Sequence, residues 1–305
     1  MGEKGILSFF LVLLFVVLLF FYWFLPTNEI YFKMSGPSHS NFTLNSSFPE
    51  DMQFYENMRF PDSKISYKIT DCPLNQKDEM ERAFRIIEGT TLLNFYSVNS
   101  NEEISVTCNS TAKVEEGLFI AGEGGPTNIT KTEKFAVILK GKILLIKESR
   151  CEEPAVAIHE LLHVLGFDHS ENSKNIMYPV SRCDQEIGED TLGLINWLYD
   201  FPSLPDISFE QASASLRGRY LDVSTTVRNN GLKESENLTL IIYSENKKIK
   251  EFEIESLQIG VGRSLTLTNM LVLSKVDELR IIIDYPYPEL DKKNNEIILQ
   301  IVENN

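Results

Sequence analysis

The chain has 305 residues, which is long enough for two domains of ordinary size. Its hydrophobic fraction of 43% is normal for globular proteins, and its formal net charge is -15. A chain this acidic lacks the basic surface that nucleic-acid binding requires, so we expect no nucleic-acid partner. The charged residues are spread along the chain, and their simplest role is solubility.

Residues 6–25 form an almost unbroken apolar run in which Ser8 is the one small polar residue. A helix of that length spans about 30 Å, the thickness of a hydrocarbon core. Tyr22 and Trp23 stand at its far end, as in an aromatic belt. We predict an uncleaved single-pass anchor at 6–25 behind a cytoplasmic tail, residues 1–5. A cleaved signal with a secreted product is the alternative, although no small-x-small site follows Leu25.

The chain has four cysteines, and none of them forms a CxxC pair. They are Cys72, Cys108, Cys151 and Cys183. Behind an export segment, an even number of cysteines indicates disulfides, so the rest of the chain is expected on the extracytoplasmic side. Nearness in sequence favours the pairs Cys72–Cys108 and Cys151–Cys183. Reduced, buried thiols are the alternative.

Residues 26–50 are rich in Ser, Asn and Pro without any period, which predicts a stalk that includes His39. A folded domain is expected over 51–201. It begins with a half-buried strand over 64–70, where Ile65, Tyr67 and Ile69 alternate. A helix from Asn75 to about Gly89 follows, with its apolar face built from Met80, Ala83, Phe84 and Ile87.

The second half of this domain continues with a short strand at 104–108 and a glycine-rich loop at 117–130. Residues 135–139 and 143–146 flank Lys140-Gly141-Lys142, which predicts a hairpin. One helix begins near Pro154, and another spans Asp190–Tyr199 with a stripe of Leu192, Ile195 and Leu198. The fold class is therefore α+β, with a few-stranded sheet and three helices.

From residue 206 to 303, short runs of period two recur between turn signals. We predict an all-β sandwich of the immunoglobulin-like kind, with strands at 221–227, 238–243, 265–267, 279–283 and 297–302. This region contains no His and no Cys.

The segment with the clearest chemistry is His159-Glu160-Leu161-Leu162-His163, which continues through Gly166 to His169. Side chains four apart share a helix face, so His159 and His163 can bind one metal ion. Gly166 permits the turn that ends the helix and returns His169 as third ligand. A fourth, open position marks a catalytic zinc site. Glu160, rotated by about 100° from His159, is the expected general base.

This pattern resembles the metzincin superfamily of zinc peptidases. Asn175-Ile176-Met177-Tyr178-Pro179 resembles the Met-turn of the matrixin branch, and the similarity extends over about residues 60–200. The resemblance implies one catalytic Zn²⁺, a protein or peptide substrate, and Met177 as a packing base rather than a ligand. It gives Tyr178 no role in zinc binding. It also implies that residues 135–146 include the substrate-binding edge strand, unless they form an ordinary core hairpin.

The chain departs from matrixins in its latency and in its further metal sites. No propeptide cysteine is visible in residues 26–60, and Cys72 is either a disulfide partner or a thiol that blocks the zinc. Calcium is possible by resemblance, but no ligands can be assigned. Asp168 is expected to be an exposed carboxylate or one that supports a ligand.

The last hundred residues resemble a cell-adhesion-related (CARDB-like) β-sandwich module, on the basis of Val227–Gly231 and Asp291–Asn295. Such modules space or present a partner domain, so the resemblance implies no catalysis in this region. The sequence thus predicts a membrane-anchored, extracytoplasmic zinc endopeptidase. A surface adhesion protein with an incidental peptidase domain is the alternative. The substrate and the oligomeric state stay open.

Overall fold

The computed structural model describes residues 3–24, 29–34, 44, 47–109, 113–115, 118–146, 151–272 and 276–302. His39 and most of the predicted stalk lie outside the described residues. Helix α1 spans Glu3–Phe24, and its side chains from Ser8 to Phe21 are exposed. Within the part of the chain described, no helix has both the length and the apolarity that a membrane span requires.

The first difference from the sequence prediction is a strand inside the expected stalk. Strand β1 (Glu29–Met34) pairs antiparallel with two strands of the C-terminal module, and its Phe32 is 1% exposed. The stalk prediction is therefore wrong for residues 29–34. A six-residue strand of mixed composition is not recognisable on its own, because its partners lie far away in the sequence.

The next domain combines one sheet with three helices. Its elements are β2 (Met58–Arg59), β3 (Lys64–Thr70), α2 (Leu74–Thr90), β4 (Asn94–Ser97), β5 (Ile104–Cys108), β6 (Lys113–Glu115), β7 (Leu118–Ile120), β8 (Gly122–Lys131), β9 (Ala136–Leu145), α3 (Ala155–Val164) and α4 (Glu189–Asp200). The main sheet has the order β2-β9-β5-β3-β4, all parallel, and β8 adds antiparallel to β9. Strands β6 and β7 form a separate two-stranded ribbon.

Two predictions about this sheet are wrong. Residues 135–146 do not form a hairpin, because β9 passes straight through Gly141 and pairs with β5 on one side and β8 on the other. A Cβ atom at Gly141 would overlap Cγ1 of Val164 on α3, so this glycine permits close helix packing rather than a turn. The predicted loop at 117–130 is largely the edge strand β8. Pro126 is tolerated in β8 because an edge strand leaves one row of amides unpaired.

The core of this domain lies between the sheet and the helices. The predicted face of α2, from Met80 to Ile87, is buried as expected, and α3 is buried along its whole length. On α4 the buried face runs through Leu194, Ile195 and Leu198, while Leu192 is only half-buried. The favoured disulfides are both formed, Cys72–Cys108 and Cys151–Cys183, so the thiol-switch alternative for Cys72 is wrong.

The C-terminal module is all antiparallel β-structure around one apolar core. Its strands are β10 (Ile207–Arg217), β11 (Tyr220–Asn229), β12 (Leu238–Ser244), β13 (Lys247–Ile254), β14 (Gly262–Leu271), β15 (Glu278–Asp284) and β16 (Glu296–Ile301). The order is β13-β12-β15-β16-β1-β10-β11-β14. Without β1 this path divides into a set of four strands (β13-β12-β15-β16) and a set of three (β10-β11-β14). We call the two sets together the sandwich. Strand β1 joins the two sets along one side.

Candidate active site

Helix α3 and the turn after it bring the three predicted histidines together. Gly166 has φ +99° and its amide donates to the His163 carbonyl oxygen (3.0 Å), which ends the helix and reverses the chain. A Cβ atom at Gly166 would also lie 2.7 Å from Cγ of Met58, so both the backbone and the packing require glycine. The reversal places His169 beside the helix.

The imidazole nitrogens converge on one point. Nε2 of His163 lies 3.0 Å from Nε2 of His159 and 3.2 Å from Nε2 of His169. Ligand nitrogens about 2.0–2.1 Å from a tetrahedral zinc would stand about 3.3 Å apart, which matches this spacing. Across the described residues, these three histidines form the group that could hold a metal ion.

Backbone carbonyls fix the tautomers of the two buried rings. The Nδ1–H of His159 donates to the carbonyl oxygen of Ile176 (2.7 Å), and the Nδ1–H of His163 donates to that of Phe167 (2.8 Å). Each Nε2 atom is then unprotonated and carries a lone pair. Lone pairs held this close repel one another unless a cation lies among them, so the arrangement fits a metal ion.

Electrostatics also favours neutral ligands here. Burial lowers the pKa of His163 to about 4 and lowers the pKa of His159, with a smaller contribution from the neighbouring imidazoles. Neutral imidazole is the form that binds metal. His169 is exposed, and its backbone amide donates to Oδ1 of Asp168 (2.7 Å), so Asp168 is the exposed carboxylate that was expected.

Glu160 is 6% exposed and faces strand β8. A Cβ atom at Gly122 would lie 2.7 Å from Cγ and 2.8 Å from Oε1 of Glu160, so this glycine leaves room for the carboxyl group. Burial raises the pKa of Glu160 to about 8, and repulsion from Glu123 adds to the shift. A bound divalent cation would oppose that shift.

The predicted Met-turn is a compact loop below the histidines. Oδ1 of Asn175 accepts from the Met177 amide (2.8 Å), and the Ile176 amide donates to the Glu186 carbonyl (2.8 Å). Met177 is 2% exposed and packs in the core. This loop also presents the Ile176 carbonyl to His159. The sequence prediction missed that role of Asn175, although an Asn two residues before a turn position is a signal for such a loop.

Two further features frame the site. The Cys151–Cys183 disulfide encloses the helix, the turn and the Met-turn loop within one covalent ring. Phe54 stacks on the His163 ring with centroids 5.8 Å apart, and its amide donates to the Gly166 carbonyl (3.0 Å). Phe54 could not be recognised from the sequence, because this contact depends on the path of residues 52–54 beside the turn.

Comparison with known proteins agrees with this geometry. The family model of the matrixins matches residues 59–200. Macrophage metalloelastase of Oryctolagus cuniculus is 27% identical over 192 residues, which cover 54% of this chain and 39% of the relative. Stromelysin-1 of Rattus norvegicus is 28% identical over 190 residues, covering 53% and 36% respectively. The chain thus spans about two fifths of the length of these curated relatives.

The domain of residues 59–200, which carries the histidine group, is therefore matrixin-like, that is, similar to a family of metallopeptidases. A solved CARDB domain from Pyrococcus furiosus, in complex with di-metal ions, is also similar to part of the chain. It covers 33% of this chain and 88% of its own, with a TM-score of 0.27 and 16% identity.

Proposed function

We propose that the protein is a zinc endopeptidase in which His159, His163 and His169 hold the metal and Glu160 acts as general base. The observation that carries this proposal is the convergence of three Nε2 atoms within 3.2 Å of their neighbours. Bound zinc supplies Lewis acidity, which lowers the pKa of water and polarises a carbonyl group. Glu160 takes the proton from the attacking water and delivers it to the leaving amine.

The edge strand β8 is the proposed binding strand for the substrate. Its one partner among the described strands is β9, so its other edge has amides and carbonyls to offer an extended peptide. This assignment moves the expected substrate strand from residues 135–146 to β8. A peptide bound along β8 passes close to Glu160, because Gly122 and Gly124 both lie against that residue.

The test uses the full chain, loaded with zinc, and peptide cleavage. Glu160→Gln should lower kcat by about 10³-fold or more, because the proton acceptor is lost, while one zinc per chain remains bound. His163→Ala should lose the zinc. Glu81→Gln, on the solvent side of α2, serves as the matched control and should behave like the parent. Equal turnover in the Glu160→Gln variant and the parent would refute the assignment.

We also propose that the apolar run of residues 6–25 anchors the protein in a membrane, with the peptidase on the extracytoplasmic side. The support is the row of exposed apolar side chains from Phe9 to Phe21 and the two disulfides, which persist in oxidising compartments. The full chain should float with lipid vesicles, and a chain lacking residues 1–24 should not. Equal flotation of the two would count against the anchor.

The alternative of an adhesion protein with an incidental peptidase domain has less support. A catalytic site needs imidazoles held in one tautomer and a buried acid beside them, and both are present here. An adhesion function requires neither feature.

A further inference from the structure

Strand β9 has two apolar faces, and only one of them belongs to the peptidase core. Ala136 and Ile138 pack in that core, as alternation along a strand requires. Phe135 and Val137 point the other way and form a separate cluster with Leu232 of the sandwich. The three side chains are 3%, 0% and 0% exposed. Half-buried side chains surround this junction cluster, namely Leu44, Leu139, Ile259 and Leu290.

Polar contacts extend the junction to the turn between β8 and β9. The backbone amide of Glu133 in this turn donates to Oδ1 of Asn230 (3.3 Å). Asn230 is itself held by the sandwich, since its Nδ2 donates to Oγ of Ser208 (2.8 Å) and its backbone amide to the Asp206 carbonyl (2.7 Å). The turn therefore binds to an Asn230 side chain whose position the sandwich fixes.

A third contact lies at the end of β8 itself. Gly260 of the sandwich has φ +71°, and a Cβ atom there would overlap Cγ2 of Thr130. The loop around Gly260 thus lies directly on β8. Support of this kind matters for a strand with glycine at positions 122, 124 and 125, because glycine has the largest backbone freedom to lose.

From these contacts we infer that the sandwich holds the β8–β9 hairpin in place and so determines how firmly the peptidase binds an extended substrate. Leu232 and Asn230 are positioning residues that act through β8 without touching the substrate. The module is then a working part of the peptidase rather than a spacer. The expected effect on KM rests on the proposed function. The expected support of β8 rests on the junction cluster alone.

The kinetic test compares two leucine truncations in the full chain. Leu232→Ala removes the sandwich contribution to the junction and should raise KM roughly three- to tenfold with kcat little changed, the pattern of lost uniform binding. Leu240→Ala is the matched control, because Leu240 is also 0% exposed but lies in the sandwich core away from the junction. It should leave KM at the parent value. Leu232→Met, which conserves volume, should restore KM.

A second readout does not depend on activity. Amide hydrogen exchange at residues 128–131 should become faster in Leu232→Ala and not in Leu240→Ala. If the parent cleaves no peptide, the proposed function fails while exchange still decides this inference. If Leu232→Ala does not fold, the milder Ile259→Ala takes its place. Unchanged KM and exchange in the junction variant, or equal changes in the control, would overturn the inference.

Discussion

Arg59 is among the largest fully buried side chains of the described residues, at 1% exposed. Its guanidinium donates to backbone carbonyls of Leu198 and Phe201 (3.1 Å) at the end of α4, and it lies 4.4 Å from the Tyr199 ring centroid. Burial lowers the pKa of Arg59. The positive charge is tolerated because it meets the negative end of the helix dipole. A lone arginine next to Phe60 gives no sequence signal for this role.

Asp206, at the start of the sandwich, is a buried carboxyl group whose titration should affect the stability of the fold. It is 1% exposed, and its Oδ1 accepts from Nδ2 of Asn294 (2.8 Å). Burial raises its pKa from 3.8 to about 6. The hydrogen bond from Asn294 and the charge of Lys134 oppose this shift, and repulsion from Asp291 and Glu133 adds to it. Because the folded state holds the proton more tightly, the stabilisation is full below about pH 4. It is lost as the pH rises through 6.

We therefore predict that Asp206→Asn changes the pH dependence of sandwich unfolding. The free energy of unfolding of the variant minus that of the parent should increase between pH 4 and pH 8, on the order of 2 kcal/mol. Urea unfolding at several pH values measures this. Glu289, whose pKa burial raises to about 7, is also repelled by Asp206, so its smaller shift in the variant adds to the difference in the same direction. A difference that is the same at every pH would contradict the prediction.

At the scale of elements, periodicity predicted what packs in a regular way. Strands β3 and β5 and helices α2, α3 and α4 appear where the apolar spacing placed them. Strand β13, with the sequence KKIKEFEI, was missed, because its charged side chains belong to a sheet edge that faces water. Strand β4 is short and mostly exposed, and its pattern is too weak to recognise.

The two wrong predictions about the sheet, the hairpin and the loop, both came from the interpretation of glycine residues. In strands β8 and β9 glycine serves close approach to α3, whereas the usual interpretation of clustered glycine is a turn or loop. A pattern of residues in one strand cannot reveal a helix that lies against it. Only the three-dimensional contact explains why the side chain is missing.

Gly141→Ala tests this explanation. The new methyl group meets Val164, so the variant should lose about 1–3 kcal/mol of stability, as overpacked cores do. Val164→Ala creates space at the same point, and the double variant should therefore be more stable than the sum of the single effects predicts. Chemical denaturation of the four proteins measures the coupling. Strict additivity would show that the helix contact is not the reason for the glycine.

At the scale of the whole molecule, β1 makes the peptidase an insertion into the sandwich. The chain contributes β1 before the peptidase domain and the remaining seven strands after it. The Tyr31 carbonyl accepts from the Val302 amide (2.8 Å), so β1 is hydrogen-bonded directly to the segment that follows β16. Helix α1 is thus followed at once by a strand of the sandwich.

Phe32→Ala should destabilise the sandwich by about 3–5 kcal/mol, since the ring fills its core. Ile30→Ala is the control on the same strand, where the side chain is 37% exposed and a much smaller loss is expected. Thermal unfolding of the sandwich measures both. If Phe32→Ala leaves the unfolding temperature unchanged, residues 29–34 behave as a stalk after all.

The sequence by itself predicted the three histidines that could hold a metal ion, the neighbouring Glu160, the loop around Met177 and the favoured cysteine pairs. These features depend on short spacings within one helix, one turn or one loop, where local geometry leaves little freedom. The tertiary structure alone decided the roles of β1, β8 and the junction cluster. Each of these depends on contacts between residues far apart in sequence, such as Val137 with Leu232, and such contacts leave no periodic trace in the chain.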